Sequence, residues 1–343
     1  MVLTIDGAYG EGGGQILRTT LSLSAIFKMP VNVINIRANR PKPGLRPQHL
    51  TCVYAMKTIT KADVKGAEIG SKSLFFSPKG IYPGKYTFDV AEKQASAGSI
   101  SLIFQTLLPV LSIADGPSYL TLKGGTHVPF SPSFHYIKKV FLPMVKEIGV
   151  RANISLKRWG FYPIGKGEIE AIIYPKDRLV GKKWEKVPSI KKIKGISASS
   201  NLPHVKERQK KRLEEDLEKL GISTEIEAIE ANAHGKGSFA FLFIDSETKA
   251  GFSALGARGK PSEAVADEAF SEFSIYYEEK TALDRYLADQ LLLYLALAGG
   301  SSVFTTCKIS PHLLTNLWVI KQFLNRQILC EGKINKPGKI DII

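Results

Sequence analysis

At 343 residues, 44% hydrophobic and 23% charged, the chain is too long for one ordinary core and has the balance of a globular protein, not a disordered or fibrous one. Its 47 Lys and Arg against 32 Asp and Glu leave a formal charge of +15, which points to a polyanionic partner, nucleic acid ahead of an anionic membrane. Three cysteines (Cys52, Cys307, Cys330) without metal-ligand spacing speak against a disulfide framework or structural zinc, and no apolar run approaches the ~20 residues of a membrane span. With an N-terminus, MVLTIDGAYG, that lacks the features of a signal peptide, these facts predict a soluble, cytoplasmic protein with no membrane partner.

Along the chain, residues 2–5 read as a strand, 16–27 as a helix, 31–37 as a strand, 47–60 as a helix, and 62–70 and 73–76 as two strands. The order then recurs: strand 86–90, helix 98–113, strand 118–123, helix 134–148, strands 152–156 and 168–174. A third, split copy follows with helix 286–298, strand 302–306, helix 311–324 and strands 327–330 and 339–343. Each first helix carries Gln-x-Leu: Gln15/Leu17, Gln105/Leu107 and Gln290/Leu292. The spacings fit a repeat of about 90 residues interrupted once by about 95. The interruption, 183–277, opens with a basic lead-in and carries a charged amphipathic helix closed by Gly221, strands at 222–229 and 238–244, and a helix at 261–277. The expected architecture is α+β: a body of three βαβαββ repeats (1–182 and 278–343) carrying a small inserted α+β domain.

Four stretches could carry chemistry. GEGGGQILR, residues 10–18, matches neither the GxGxxG nor the GxxxxGK[ST] fingerprint. Glycines before a helix let backbone N–H groups approach an anion, and Glu11 is tolerable there if a divalent cation intervenes. Arg18, about two turns on, can return to the same mouth and pair with phosphate. A plain tight turn remains equally open. In IRANRPKPGLRPQHL, Arg37, Arg40, Lys42 and Arg46 are spread by Pro and Gly, leading into Gln48 and His49; this reads as a phosphate or RNA contact, or as a solvated basic loop. Among six histidines, His312 stands apart. It follows a strand and a proline at the first turn of a helix, whose N-terminus disfavours protonation and leaves a neutral imidazole able to attack. In YLADQLLLYLALAGG, Tyr286, Asp289 and Gln290 form either a ligand wall or, for Asp289, a helix N-cap.

Together these stretches, with SAGSISLIFQTLLP, RWGFYPIGKGE and SPHLLTNLWVI, resemble the RNA 3′-terminal phosphate cyclase family over residues 6–324, in family order. The resemblance implies repeats like the C-terminal domain of translation initiation factor 3, shared with enolpyruvyl transferases. It implies ATP and a divalent metal (Mg or Mn), and RNA with a 3′-phosphate end as partner; oligomeric state is left open. His312 matches the nucleophile that takes AMP from ATP. AMP then passes to the RNA 3′-phosphate, giving RNA(3′)pp(5′)A, and the 2′-OH closes the cyclic phosphate. Arg18 and Arg37 match residues acting at the phosphates, and Glu11 the metal carboxylate. Gln105, Pro132, Tyr136 and the run Tyr286, Leu287, Ala288, Asp289 and Gln290 match the nucleotide pocket, and Arg37, Arg40, Gln48 and His49 the RNA contacts. Two alternatives remain: a non-catalytic cyclase-like ribosome-assembly factor, which an intact His312 argues against, and an enolpyruvyl transferase, which needs no +15 charge.

Overall fold

The computed structural model describes residues 1–92, 94–176 and 178–343. The first repeat runs β1 (Leu3–Asp6), α1 (Gly14–Phe27), β2 (Val31–Ile34), α2 (Pro47–Thr60), β3 (Asp63–Lys65) and β4 (Leu74–Ser77). The second runs β5 (Lys85–Asp89), α3 (Ile100–Leu111), β6 (Ser118–Gly124), α4 (Phe134–Tyr136), a π turn (Ile137–Phe141), α5 (Leu142–Ile148), β7 (Arg151–Arg158) and β8 (Gly167–Tyr174). After β9 (Lys183–Trp184) come β10 (Lys192–Ser200), α6 (Val205–Glu218), β11 (Ser223–Glu230), β12 (Gly237–Asp245), β13 (Lys249–Leu255) and α7 (Ser262–Glu279). The chain closes with α8 (Arg285–Leu297), β14 (Ser302–Thr306), α9 (Pro311–Phe323), β15 (Ile328–Gly332) and β16 (Gly338–Ile342).

Three sheets share one order: β1-β2-β4-β3, β5-β6-β8-β7 and β9-β14-β16-β15. In each, the first pair is parallel, across a helical crossover, and the other two are antiparallel. The repeat inferred from Gln-x-Leu spacing and element order is thus a repeat of topology. β9 is the first strand of the third copy, although it lies inside the expected interruption: Lys183 and Trp184 pair with Val303 and Phe304. The interrupting segment forms its own sheet, β11-β10-β12-β13, and a separate apolar cluster built on Leu213, Leu217, Leu242, Phe252 and Phe273.

α1, α3 and α8 are apolar on nearly every side, so burial is favourable only if other elements surround them. In α3 every residue except Gln105 is buried. α1 packs against α2, α3 and α9, and α8 against α9, which joins the three repeats around one continuous core. The repeat glutamines, Gln15 near the start of α1 and Gln105 and Gln290 in the second turns of α3 and α8, come to one cavity.

Some expectations shift. The strand read as 31–37 ends at Ile34, because Asn35 and Arg37 take left-handed backbone conformations, with φ of 51° and 54°. The strand read as 62–70 is only Asp63–Lys65. β10 and β13 carry no sequence alternation, because most of their residues are buried on both faces.

Candidate active site

A cavity of about 620 Å³ opens where the three inner helices converge. Gln15, Arg18 and Thr19 of α1 line it with Gln105 of α3, Tyr286, Asp289 and Gln290 of α8, and His312 and Asn316 of α9. Pro132, Tyr136 and β13 complete the wall. The volume suits a nucleotide-sized ligand.

The glycine loop is shaped by what presses on it. A Cβ on Gly14 would lie 2.2 Å from His49 Nε2, and one on Gly12, at φ +58°, would lie 2.8 Å from Asn39 Nδ2. These glycines let side chains of the basic loop close onto the start of α1. The loop is also pinned to α9: Tyr9 stacks on Trp318 with ring centroids 4.0 Å apart, and Glu11 N–H donates to Thr315 Oγ1 at 3.4 Å. α1 has no side-chain cap, so its first N–H groups and positive helix end are available to an anion.

Glu11 accepts from Arg40 Nη2 through one oxygen and sits 3.0 Å from His312 Nδ1 through the other. His312 Nδ1 also donates to Gln15 Oε1 at 2.5 Å, and Gln15 Nε2 donates to Asp289 Oδ1 at 2.6 Å. Residues 297 positions apart in sequence thus make one polar chain. The hydrogen bond from His312 foremost, working against burial, pulls the Glu11 carboxyl down to about 2. For His312, burial favours the neutral ring, but the hydrogen bond to Glu11 and the charges of Asp289 and Glu11 carry its pKa above the ordinary value. This corrects the expectation of a neutral imidazole: Glu11 and Asp289 together outweigh burial and the charge of Arg18. Burial raises Asp289 and lowers Arg18.

Asp289 is not the cap of α8. Asp284 is, accepting from Tyr286 N–H and Leu287 N–H at 2.9 Å each. It also accepts from Gly251 N–H at 3.1 Å and from Tyr136 Oη at 2.9 Å. Tyr136 is 3% exposed, its hydroxyl held by that carboxylate, whereas Tyr286 meets it edge-on and is 47% exposed. Tyr286 is thus the more exposed of the two rings at this wall, with the Arg285 guanidinium 4.5 Å over one face and bonded to its hydroxyl. Gln105 Nε2 donates to Gln290 Oε1 at 2.6 Å, bridging α3 and α8.

Two residues expected in the nucleotide pocket are elsewhere. Leu287 and Ala288 are fully buried and absent from the cavity wall, because Tyr286, Asp289, Gln290 and Leu293 follow the i, i+3, i+4, i+7 face of α8 and these two point the other way. The basic-loop residues surround the start of α1 with mixed exposure. Arg40 is half-buried on Glu11, and Arg37 Nη1 donates to the carbonyls of Lys42 and Gly44 at 2.7 and 2.9 Å. Burial and then Arg40 and Arg46 lower the Arg37 pKa. Gln48 Oε1 accepts from Ser99 N–H at 3.1 Å, at the start of α3. His49 is 5% exposed and accepts from Arg46 N–H through Nδ1 at 3.4 Å; burial and three nearby arginines hold it neutral. It supports the loop from beneath and is not open to a solvent-borne ligand.

Gln15 is the site residue that sequence reading used only as a repeat marker. Its two counterparts, Gln105 and Gln290, were assigned to the pocket, and the shared repeat position was the signal for the third.

Among the described residues no cluster of three or more His, Cys, Asp or Glu could hold a metal by itself. Glu11, the carboxylate of the glycine loop, has one oxygen on Arg40 and the other against His312. No helix of the described residues is long and apolar enough to cross a membrane.

The sequence matches the family described as RNA 3′-terminal phosphate cyclase over residues 9–330. It is 42% identical over 347 residues to the RNA 3′-terminal phosphate cyclase of Pyrococcus abyssi, covering 100% of this chain and 99% of that one. The protein of the same name from Methylococcus capsulatus is 44% identical over 329 residues, covering 94% and 91%. That of Pyrobaculum aerophilum is 43% identical over 347 residues, covering 100% and 97%. With its three repeats, its inserted α+β unit and this extent of likeness, the chain belongs to the RNA 3′-terminal phosphate cyclase family.

Proposed function

We propose that this protein uses ATP to convert an RNA 3′-terminal phosphate into a 2′,3′-cyclic phosphate, through AMP carried covalently on His312. The observation that carries the reading is the setting of His312. Its Nδ1 is occupied by two acceptors, while Nε2 has no hydrogen-bond partner among the described residues, on the wall of a nucleotide-sized cavity shared with Arg18. The curated relatives' names support the overall conversion.

In this reading Nε2 attacks the α-phosphorus; the N–P bond forms as the bond to pyrophosphate breaks. The RNA 3′-phosphate then takes the adenylyl group and frees the imidazole. The adjacent 2′-OH attacks the 3′-phosphorus, loses its proton, and AMP leaves. Such transfers depend on in-line placement and charge neutralisation. Arg18 and the open N-terminus of α1 supply fixed positive charge, Arg37 and Arg40 lie at the RNA side, and Tyr286, Gln105 and Gln290 form the base-facing wall. A divalent cation held by Glu11 would neutralise phosphate charge, which requires Glu11 to release Arg40 and His312. A cytoplasmic location accords with the three free cysteines.

The test is incubation with α-labelled ATP, then with a 3′-phosphorylated oligoribonucleotide. Wild type should take acid-labile label and release a cyclic-phosphate RNA; His312→Ala should lose labelling by about 10³-fold or more. Label on His312→Ala equal to wild type would sink the assignment, and an unlabelled wild type would favour the RNA-binding alternative.

A further inference from the structure

We propose that Gln15 is a positioning residue for His312: its amide, itself oriented by Asp289, fixes the imidazole as the Nδ1–H tautomer and leaves the Nε2 lone pair to attack. The inference rests on the adenylyl-transfer reading above. Asp289 lies on α8, Gln15 on α1 and His312 on α9, so the chain links three of the helices that line the cavity. A carboxylate accepts and cannot donate, so Asp289 Oδ1 at 2.6 Å selects the nitrogen of the Gln15 amide. The amide oxygen is thereby turned to His312 Nδ1, at 2.5 Å, where only an N–H can meet it.

A second rung one turn along holds the spacing. Thr19 and Asn316, each four residues beyond Gln15 and His312, are joined by Thr19 Oγ1 donating to Asn316 Oδ1 at 2.8 Å. Asn316 Nδ2 donates to the Asp289 carbonyl at 3.1 Å. The imidazole therefore sits in a frame fixed at both ends, the arrangement that second-sphere carboxylates and amides give to working histidines.

Glu11 also faces Nδ1, but it is shared with Arg40 and is the carboxylate a cation would take. The neutral Gln15 amide meets neither demand and stays with the histidine. When Nε2 bonds to phosphorus the ring becomes positive while keeping its Nδ1–H, and the Gln15 oxygen is the dipole facing that charge. Gln105 and Gln290 occupy the same repeat position, yet bond each other, so the role belongs to the first copy alone.

Labelling of His312 from α-labelled ATP should be timed for wild type, Gln15→Met, Gln15→Glu and Gln15→Glu/Asp289→Asn. Gln15→Met should slow the saturated rate about 10–100-fold with half-saturating ATP within about 3-fold of wild type. Gln15→Glu sets two carboxylates face to face and should be at least as slow. Adding Asp289→Asn restores a donor opposite an acceptor and should recover about 10-fold. An unchanged rate in Gln15→Met, a half-saturating ATP that rises in step with the rate loss, or a double variant no faster than Gln15→Glu would overturn the proposal.

A readout without ATP uses protein with nitrogen-15 histidine and Glu11→Ala, made alkaline until the His312 ring is neutral and its two nitrogens report the tautomer. Nδ1–H is expected with Gln15 present and a shift toward Nε2–H with Gln15→Met; identical spectra overturn the proposal. An unlabelled wild type would instead remove the adenylyl-transfer reading, and the nitrogen spectra would still decide the tautomer.

Discussion

The two ends of the cavity are held together by different physics. At one, Glu11, Arg40, His312, Gln15 and Asp289 form a chain in which every charged member has a partner. At the other, Tyr136, Tyr286, Gln105 and Gln290 are neutral, and the wall hangs from one buried carboxylate, Asp284. The contrast teaches where function and stability separate. The charged end can exchange partners when a ligand arrives, whereas the neutral end has nothing to exchange and must be rigid beforehand.

The largest effect expected on this contrast comes from Asp284→Ala. It removes the α8 cap and strands Tyr136 Oη and the N–H groups of Gly251, Tyr286 and Leu287, at a site 2% exposed. The expected cost is about 3–5 kcal/mol in chemical denaturation; a loss below about 1 kcal/mol would mean the wall does not hang from Asp284. Burial foremost raises this carboxyl to about 6, above its unfolded value of ~3.9. The folded state therefore holds that proton more tightly, a contribution complete below pH ~3.9 and lost as pH rises through about 6. The stability gap between wild type and Asp284→Ala should narrow over that interval.

Next comes Gly14→Ala at the charged end. The added Cβ meets buried His49 at 2.2 Å, and neither the ring nor the start of α1 has room to yield. Destabilisation of about 2–3 kcal/mol is expected by thermal and denaturant melting. A neutral result would show that the basic loop is not clamped onto the glycines.

Glu11→Gln should cost less, about 1–2 kcal/mol near pH 7, since Arg40 and His312 are both partly exposed. The Glu11 pKa is depressed to about 2, so its contribution is present above the unfolded value and lost as pH falls toward 2. Melts of the two proteins should therefore converge between pH ~4.5 and about 2. Parallel curves across that range would break the claim that ion pairing organises this end.

The smallest effect belongs to Tyr286→Leu. Tyr286 is 47% exposed but carries the Arg285 guanidinium on one face and on its hydroxyl, so folding stability should fall by no more than about 1 kcal/mol while half-saturating ATP rises about 10-fold. An equal change in both would place Tyr286 in the frame instead of at the ligand.

Much of this was legible in the sequence, for definite reasons. The three repeats could be read because α1, α3 and α8 are apolar on most sides and each carries Gln-x-Leu. β10 and β13 could not: buried on both faces and rich in Gly, Ala and Ser, they lack the period-two signal. Glu11, Arg18 and His312 stood out by residue type and position before the resemblance gave them roles, and the fold places Arg18 and His312 on one cavity wall with Glu11 against His312. Leu287 and Ala288 were assigned because a contiguous motif was read as a contiguous wall, whereas a helix presents only every third or fourth residue. The protonation of His312 was misread because it is set by carboxylates some 300 positions upstream and 23 positions upstream, and only the fold makes them neighbours.

The two-residue strand β9 has a consequence for how the molecule is made. Lys182 and Ser302, which bond beside it, are 120 positions apart. On a chain growing from its amino end, β9 leaves the ribosome long before the strand it must join. The segment between them has its own sheet and apolar cluster, and can settle first. The third repeat then closes last, and with it the helices carrying Asp289 and His312. The surroundings of His312, the glycine loop and the start of α1 among them, are thus complete only once α9 has docked.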